Sequence, residues 1–210
     1  MTPDRPRAVL LASGGMDSTV LAYWLVDRQI PFIPVFVDYG QHCVGTEAAT
    51  VARVLPPHYR ATVETVRLAD IYRGATSRLI VAPDLWREPV RADDLYLPYR
   101  NLLVLAAAAA LAQGRGCSHV YAAFINSNHA KEIDCSAAFF DRLGELMADF
   151  GGVKVEMPFR QLSKTEVARI GVALGAPVAE TFSCQAAAEV PCGACPNCVD
   201  RAEALAALTS

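Results

Sequence analysis

Short apolar runs alternate with amphipathic segments along most of the chain. The runs are bounded by glycine, proline or charged residues, and the segments between them repeat apolar residues at helical spacing. The predicted strands are residues 8–12, 32–37, 61–68, 119–124 and 153–157. The predicted helices are residues 18–28, 46–55, 101–113, 137–150, 163–174 and 201–208. This alternation indicates an α/β fold, a Rossmann-like parallel sheet with helices on both faces.

Two predicted helices begin at clear sequence signals. Asn101 is an N-cap residue, and a glycine stands just past the end of the same helix. Residues 163–166 have the form of a capping box, in which Ser163 and Glu166 satisfy backbone N–H groups reciprocally. Between the third strand and Asn101, residues 70–98 hold three prolines and several charges. They predict a long loop with a role such as an active-site lid.

Length and composition fit one main domain with a small appendage. The chain has 210 residues, which is roughly 1.4 domains at ~150 residues each. Hydrophobic residues make up 53% and charged residues 20%, which excludes disorder of the whole chain. We expect residues 1–175 to form the main domain and residues 176–210 a cysteine-rich segment with a closing helix.

Charge and hydropathy indicate which ligands and which cellular location to expect. Nineteen Lys and Arg against 22 Asp and Glu give a net charge of −3, so nucleic acid is a poor candidate for the main ligand. No signal-like apolar stretch follows Met1, and the longest apolar run, residues 102–112, is shorter than the ~20 residues of a membrane span. We expect a cytoplasmic protein without membrane contact. Its 7 cysteines are then thiols or metal ligands rather than disulfides.

A glycine-containing turn follows the first predicted strand. Its residues are Ser13, Gly14, Gly15, Met16, Asp17 and Ser18. Glycines let the backbone N–H groups face inward, and the helix that follows adds partial positive charge, so the turn is suited to phosphate. Ser13 and Ser18 add hydroxyl donors. Asp17 suits such a site if Mg²⁺ bridges it to phosphate.

The pattern Ser-Gly-Gly-x-Asp-Ser resembles the pyrophosphate loop (PP-loop) of the N-type ATP pyrophosphatases. Enzymes of that superfamily have a Rossmann-like (HUP) fold and cleave ATP between the α and β phosphates. They transfer AMP to a substrate oxygen, and a nucleophile then displaces it. The resemblance implies that residues 1–175 are an adenylating domain and that residues 13–18 bind the pyrophosphate of ATP.

Further segments resemble one branch of this superfamily, the 7-cyano-7-deazaguanine synthase (QueC) family. Residues 38–41 match its Asp-Tyr-Gly-Gln segment, and residues 98–101 are similar to its Pro-Gly-Arg-Asn element. Lys164 with Glu166 matches its Asp-Lys-x-Glu element, and the tail cysteines followed by Arg201 match its zinc site. These pieces occur in the family's order and span nearly the whole chain.

The resemblance implies which side chains act. The ATP site would comprise residues 13–18 with Asp38, Gln41, Arg100, Asn101 and Lys164. Asp17, Arg100 and Lys164 would be catalytic. Asp17 would hold Mg²⁺ with ATP, and the two cations would neutralise phosphate charge that grows in the transition state. Tyr39 and Asp134 would bind the substrate, and a homodimer is implied.

Four cysteines in the tail have the spacing of a metal site. Thiolates of Cys184, Cys192, Cys195 and Cys198 are spaced to surround a tetrahedral ion. Zinc is favoured over an iron–sulfur cluster, which triple-cysteine runs also hold. Because the protein would fill every ligand position, we expect structural Zn²⁺.

The sequence does not decide the roles of four other reactive side chains. Cys43 and Cys135 lie close in sequence to implied site residues, and His42 and His129 are candidate bases. Their catalytic roles depend on pKa values that do not follow from sequence.

Three hypotheses describe the function. In the first, the protein adenylates the carboxylate of 7-carboxy-7-deazaguanine, forms the amide with ammonia and dehydrates it to 7-cyano-7-deazaguanine, releasing AMP and pyrophosphate. In the second, a QueC-like paralogue joins a deazaguanine-type carboxylate to another amine or a protein, for example in antiviral defence. Ser136, which replaces the arginine that follows the family's Asp-Cys pair, motivates it. The third is a zinc-stabilised nucleotide-binding module without turnover.

Overall fold

The fold is that of a computed structural model, which describes residues 6–87, 89–125 and 133–208. Five strands form one sheet in the order β3-β2-β1-β4-β5. The strands are β1 Ala8–Leu11, β2 Phe32–Asp38, β3 Glu64–Arg67, β4 His119–Tyr121 and β5 Lys154–Glu156. Each pairing between neighbouring strands is parallel, which confirms the predicted sheet.

Helices cover both faces of this sheet. They are α1 Met16–Asp27, α2 Val44–Val54, α3 Arg100–Gly114, α4 Ala137–Gly151, α5 Lys164–Ala173 and α6 Pro196–Ala206. Successive residues of β1 alternate between two cores, because strand side chains point to opposite faces. Leu10 packs in the core formed with α1, α2 and α5, and Val9 packs in the core formed with α3 and α4.

The order of the strands creates a switch point at the carboxyl edge of the sheet. β1 pairs with β2 on one side and with β4 on the other, so the chain returns to the far side of β1 after β3. Loops at such a point diverge and leave a crevice in which ligands bind. The turn at residues 13–18 borders this crevice.

The start of α3 differs from the prediction. The helix begins at Arg100, because Tyr99 adopts a left-handed conformation with φ 57° just before it. Asn101 therefore lies inside the first turn, and its predicted N-cap role is wrong. Its side chain is free to make the contacts described below.

Two other elements begin three or more residues away from the predicted start. β3 begins at Glu64 rather than near residue 61, since Pro57–Thr62 forms a 3-10 turn. α6 begins at Pro196 rather than Arg201, because Cys195 is extended and proline suits the first position of a helix.

The segment predicted as a long loop is irregular and has a small apolar cluster of its own. Tyr72, Leu79 and Leu97 are buried together, and the Tyr72 hydroxyl donates to the carbonyl of Pro98 at 2.9 Å. The irregular conformation of the described part of residues 70–98 is as predicted. A role as a lid stays a prediction.

The stretch Asp93–Gly114 is long and apolar enough, by length and composition alone, to cross a membrane. α3, which makes up most of it, is 15 residues long. It lays Leu105, Ala108 and Ala112 against the sheet in the second core. We therefore interpret it as a core helix.

Candidate active site

A cavity of about 350 Å³ lies at the carboxyl ends of β1, β2 and β4. The predicted site residues that line it are Ser13, Gly15, Asp17, Ser18, Tyr39, Gln41, Arg100, Asn101 and Lys164. Those that do not are Gly14, Met16, Asp38 and Asp134. The fold thus brings residues from distant parts of the sequence to one place.

The turn after β1 is tightened by its own serines. Ser13 Oγ lies 3.0 Å from Ser18 Oγ and accepts from the N–H of Gly15 at 3.3 Å. The side chain of Met16 is buried in the core, so this residue offers the site only its backbone. The first N–H groups of α1 have no intrahelical acceptor, and the partial positive charge of this helix end favours an anion.

Gly14 lets the turn pack tightly against α2. Its φ is +75°, and a Cβ there would lie 2.9 Å from the carbonyl oxygen of Glu47 and 3.2 Å from the Cβ of Thr50. The carbonyl of Gly14 accepts the N–H of Phe182 at 3.0 Å. The turn is therefore held between α2 and the cysteine-rich segment.

An ion pair joins the first turns of α1 and α5. Lys164 Nζ lies 2.8 Å from Asp17 Oδ2, and the two side chains are 15% and 19% exposed. The predicted capping box at Ser163 is present and starts α5 directly at Lys164. Gly171 allows α5 to approach α1, since a Cβ there would lie 2.6 Å from Val20.

Asp17 keeps one oxygen unpaired. Its Oδ1 is buried and has no hydrogen-bond partner among the described residues. A buried polar atom without a partner costs free energy, so this oxygen is placed to receive a ligand from the cavity. Carboxylate oxygens are preferred ligands of Mg²⁺, and the residue fits the ion that the sequence predicts beside phosphate.

Arg100 at the start of α3 faces Tyr39 after β2. The guanidinium carbon lies 5.9 Å from the centre of the Tyr39 ring, within cation–π range. Burial raises the pKa of the Tyr39 phenol to about 12, although Arg100 opposes the shift. Tyr39 is therefore neutral near pH 7 and faces the cavity as a hydrogen-bonding group.

Asp134 caps α3 from another part of the chain. Its Oδ2 accepts the N–H of Asn101 at 3.2 Å, and its carbonyl accepts from Asn101 Nδ2 at 3.0 Å. Negative charge is favourable at this helix end. Asn101 Oδ1 in turn accepts from Arg100 Nε at 3.3 Å. Asp134 thus supports Arg100 through Asn101 and is not in the cavity lining, and its predicted role in substrate binding stays a prediction.

Asp38 and Gln41 organise the turn after β2. Asp38 Oδ1 accepts the N–H of Gly40 at 3.0 Å, which is an Asx-type turn. Gln41 is 3% exposed; its amide donates to Glu47 Oε2 at 2.8 Å and accepts the N–H of Tyr39 at 2.9 Å. Both side chains have internal partners, so their contacts with ATP stay predictions.

Glu47 lines the cavity and was not among the predicted residues. It lies in the first turn of α2, and burial raises the pKa of its carboxyl to about 7, although the Gln41 hydrogen bond and the Arg100 charge oppose the shift. An acid in a first turn is common, because the helix dipole favours it there. The signal in the sequence that could have identified Glu47 is its position one turn into the helix that follows residues 38–41.

The sequence left undecided whether two thiols and two histidines are catalytic. The two thiols are poor nucleophiles in the structure, and neither histidine is among the described residues that line the cavity. Burial raises the pKa of Cys43 to about 12. The Sγ of Cys43 lies 3.4 Å from His42 Nδ1, and neither residue lines the cavity. Cys135 lines the cavity, and burial followed by the charge of Asp134 raises its pKa. Thiols with raised pKa values stay protonated at neutral pH. His129 lies outside the described residues.

The tail cysteines form a cluster. The Sγ atoms of Cys184, Cys192, Cys195 and Cys198 all lie within 4.8 Å of one another. Cys192 Sγ is 4.0 Å from Cys198 Sγ, close to the ~3.8 Å that a tetrahedron with ~2.3 Å zinc–sulfur bonds requires. A hydrogen bond from Cys195, followed by backbone N–H groups, lowers the pKa of Cys184 to about 4. The cluster is therefore suited to bind a metal ion.

The cysteine-rich segment also forms a wall of the cavity. Four lining residues that the sequence did not predict come from it: Phe182, Ser183, Gln185 and Asn197. The hydroxyl of Ser183 is buried without a partner in the described part of the chain. Arg53 of α2 donates to the carbonyl of Glu180 in this segment at 3.0 Å. The segment packs closely on residues 1–175, and the division at residue 175 stays a prediction.

The parallel sheet, the glycine turn after β1 and the crevice at the switch point define a Rossmann-like α/β fold of the PP-loop type. The chain belongs to the family of the queuosine biosynthesis protein QueC, whose model matches residues 7–209. The resemblance stated from the sequence is therefore confirmed.

Relatives with assigned names extend over nearly the whole chain. It is 31% identical to a 7-cyano-7-deazaguanine synthase from Acidobacterium capsulatum over 97% of this chain and 93% of that protein. It is 34% identical to one from Haloarcula marismortui over 96% of this chain and 90% of that protein. These relatives give no support to the hypothesis of another amine or a protein as acceptor.

A solved structure shares the fold. The chain is similar to a 4-thiouridine synthetase, determined as an RNA complex with bound ATP, with a TM-score of 0.51 and 17% identity. The match covers 97% of this chain and 53% of that chain, so the protein spans about half the length of that synthetase. At this identity the likeness concerns the fold alone.

Proposed function

We propose that the protein is an ATP-dependent ligase that converts 7-carboxy-7-deazaguanine and ammonia into 7-cyano-7-deazaguanine, with release of AMP and pyrophosphate. The relatives reported above are named 7-cyano-7-deazaguanine synthase and match 97% and 96% of this chain. The observation that carries the proposal is the Lys164–Asp17 pair, which lines the same cavity as the turn at residues 13–18 and Arg100.

The phosphates of ATP would bind at the turn after β1. The N-terminal N–H groups of α1 and the hydroxyls of Ser13 and Ser18 supply donors for the β and γ phosphates. Lys164 and Arg100 stabilise the negative charge that grows as pyrophosphate leaves. Asp17 Oδ1 would hold Mg²⁺, which neutralises phosphate charge when it is bound with ATP.

The chemistry uses the same activation twice. A carboxylate oxygen attacks the α-phosphorus of ATP, and pyrophosphate leaves. Ammonia attacks the acyl carbon, the bond to AMP breaks and the amide forms. The amide oxygen then attacks a second ATP in the same way, and loss of AMP together with nitrogen-bound protons gives the nitrile. AMP makes each oxygen a good leaving group, which carboxylate and amide oxygens are not.

Zinc would occupy the cysteine cluster as a structural ion. All ligand positions are filled by the protein, which leaves none for substrate. The ion would fix the segment that supplies Phe182 to the carbonyl of Gly14 and one wall to the cavity. Thiolate metal ligands and cysteines outside disulfides suit a reducing compartment, so we propose a cytoplasmic location.

Product analysis tests the proposal. The purified protein is incubated with ATP, Mg²⁺, 7-carboxy-7-deazaguanine and ammonium, and products are followed by mass spectrometry and nucleotide chromatography. We expect the nitrile, with AMP and pyrophosphate in equal amounts and none of the three without the carboxylate. An amide end product, or ADP with orthophosphate, would contradict the proposal.

A further inference from the structure

The proposed reaction needs a proton acceptor that the phosphate-binding residues do not provide. When ammonia attacks the acyl-adenylate, the carbon–nitrogen bond forms, the bond to AMP breaks and one proton leaves nitrogen. After the amide oxygen is adenylated, two protons leave nitrogen as the carbon–oxygen bond to AMP breaks and the nitrile forms. A group near the acyl carbon must take these protons at neutral pH.

Few side chains of the cavity are able to do so. The ionisable residues among its described lining are Asp17, Tyr39, Glu47, Arg100, Cys135 and Lys164. Asp17 and Lys164 are paired with each other at 2.8 Å, and an arginine keeps its proton in proteins. Tyr39 and Cys135 have raised pKa values and hold their own protons near pH 7. Glu47 is the lining residue that this comparison leaves.

The position of Glu47 is fixed by its neighbours. Gln41 Nε2 donates to Oε2 of Glu47 at 2.8 Å, and the Gln41 amide is itself anchored to β2 by donating to the carbonyl of Val37 at 3.1 Å. Within the described chain, no hydrogen bond reaches the other carboxylate oxygen. A Cβ added at Gly14 would lie 2.9 Å from the carbonyl oxygen of Glu47, so the backbone of Glu47 lies beside the turn at residues 13–18.

We propose that Glu47 is the catalytic base that accepts protons from nitrogen, first in amide formation and then in dehydration to the nitrile. This role rests on the proposed function and deepens it. Gln41 is a positioning residue that orients the carboxylate, because it touches Glu47 and its own amide is fully engaged. Each accepted proton passes to water before the next step.

The charged and titratable groups around Glu47 suit a base that works near neutral pH. Burial raises the pKa of its carboxyl to about 7, and Arg100 from α3 opposes the shift. Tyr39 and Cys43 from the connection between β2 and α2 are the other titratable groups coupled to it, and both are neutral in this range. A base is most effective when its pKa lies near the working pH.

Glu47→Gln tests the role by separating the two halves of the reaction. Adenylation of the carboxylate transfers no proton, so carboxylate-dependent exchange of pyrophosphate into ATP should stay within about twofold of the wild-type rate. Formation of amide and nitrile from ammonia should fall by about 100-fold or more, a typical loss for a general base. The wild-type kcat should rise with pH through a limb near 7 that the variant lacks.

Two further measurements keep the result specific. Hydroxylamine is largely unprotonated near neutral pH, so it should attack the adenylate without a catalytic base. It should therefore restore product formation in Glu47→Gln. Glu145→Gln, on the exposed side of α4, is the matched control and should keep both activities. Nitrile formation at the wild-type rate by Glu47→Gln, or equal loss of exchange and product formation, would overturn the role. Absence of exchange in the wild type would overturn the proposed function and the role with it.

Discussion

Lys164 Nζ contacts Asp17 Oδ2 across 147 positions of sequence and joins the starts of two helices that face one cavity. The pair leaves Asp17 Oδ1 buried and unpartnered in the described structure, while the lysine neutralises the carboxylate beside the proposed phosphate site. In the proposed site, Arg100 and the N-terminus of α1 would provide the positive charge that attracts ATP. The capping box of α5 thus sets the position of a lysine that we propose to be catalytic.

Replacement of Lys164 should damage chemistry more than folding. Lys164→Met removes a charge that stabilises the departing pyrophosphate, so kcat should fall by about 10² to 10³, as for loss of one transition-state contact. Lys164→Arg keeps the charge and should retain more activity. The rate of carboxylate-dependent AMP release measures both. Lys154→Met, at an exposed position of β5, is the control, and an equal loss in it would contradict the account.

Gly14→Ala should disturb the nucleotide site through backbone and contact together. The residue has φ +75°, and the added methyl group would lie 2.9 Å from the carbonyl of Glu47. We expect KM for ATP to rise at least about tenfold, since a loss of about 1.4 kcal/mol in the free energy of ATP binding weakens affinity tenfold.

Gly152→Ala is the matched control for this change. Gly152 has φ +67°, and nothing lies within 4 Å of the added methyl group. It should lose about 1 kcal/mol of stability from the left-handed conformation and keep the wild-type KM for ATP. Equal effects of the two substitutions on KM would contradict the role of the close contact.

Metal removal should unfold the cysteine-rich segment and open the cavity. We expect about one Zn²⁺ per chain by elemental analysis, since the four thiols suit a tetrahedral ion. Cys198→Ser should lower the metal content and reduce the free energy of unfolding by more than about 4 kcal/mol. Cys117→Ser, at a buried thiol in the second core, should keep the metal. Iron with sulfide in place of zinc would contradict the assignment.

Glu47 should make stability depend on pH. Its pKa is about 7 in the folded protein, above the ordinary value of 4.5, so the folded state binds the proton more tightly. The resulting stabilisation is present below pH 4.5 and is lost as the pH rises through 7. Relative to Glu47→Gln, the wild-type free energy of unfolding should fall by up to about 3 kcal/mol across this range. Denaturant titrations at several pH values measure this difference. Free energies of unfolding that change with pH in the same way in the wild type and in Glu47→Gln would contradict the raised pKa of Glu47.

The sequence predicted those parts of the site that depend on local signals. The turn at residues 13–18 follows from glycines between a strand and a helix, and the start of α5 follows from its capping box. Lys164 as a site residue was implied by the resemblance to the QueC family. The parallel sheet follows from the alternation of apolar runs and amphipathic segments. These features are determined by neighbours in the chain, which is why they are visible without a structure.

Other parts of the site depend on residues far apart in the chain. Asp134 caps α3 across 33 positions, so its sequence neighbourhood gives no sign that Asn101 is displaced from the cap. The raised pKa of Glu47 comes first from burial, which appears only when α2 packs on the turn at residues 13–18. Phe182 and Ser183 become cavity lining because the cysteine-rich segment packs against the turn at Gly14, where the N–H of Phe182 donates to the Gly14 carbonyl.

Transfer of an oxygen atom tests the central claim most directly. 7-Carboxy-7-deazaguanine labelled with ¹⁸O in its carboxylate is converted with ATP and ammonia, and the nucleotide products are examined by mass spectrometry. If the carboxylate oxygen attacks the α-phosphorus while the turn at residues 13–18 holds the other two phosphates, the label appears in AMP and is absent from pyrophosphate. Label in orthophosphate, accompanied by ADP, would contradict the account.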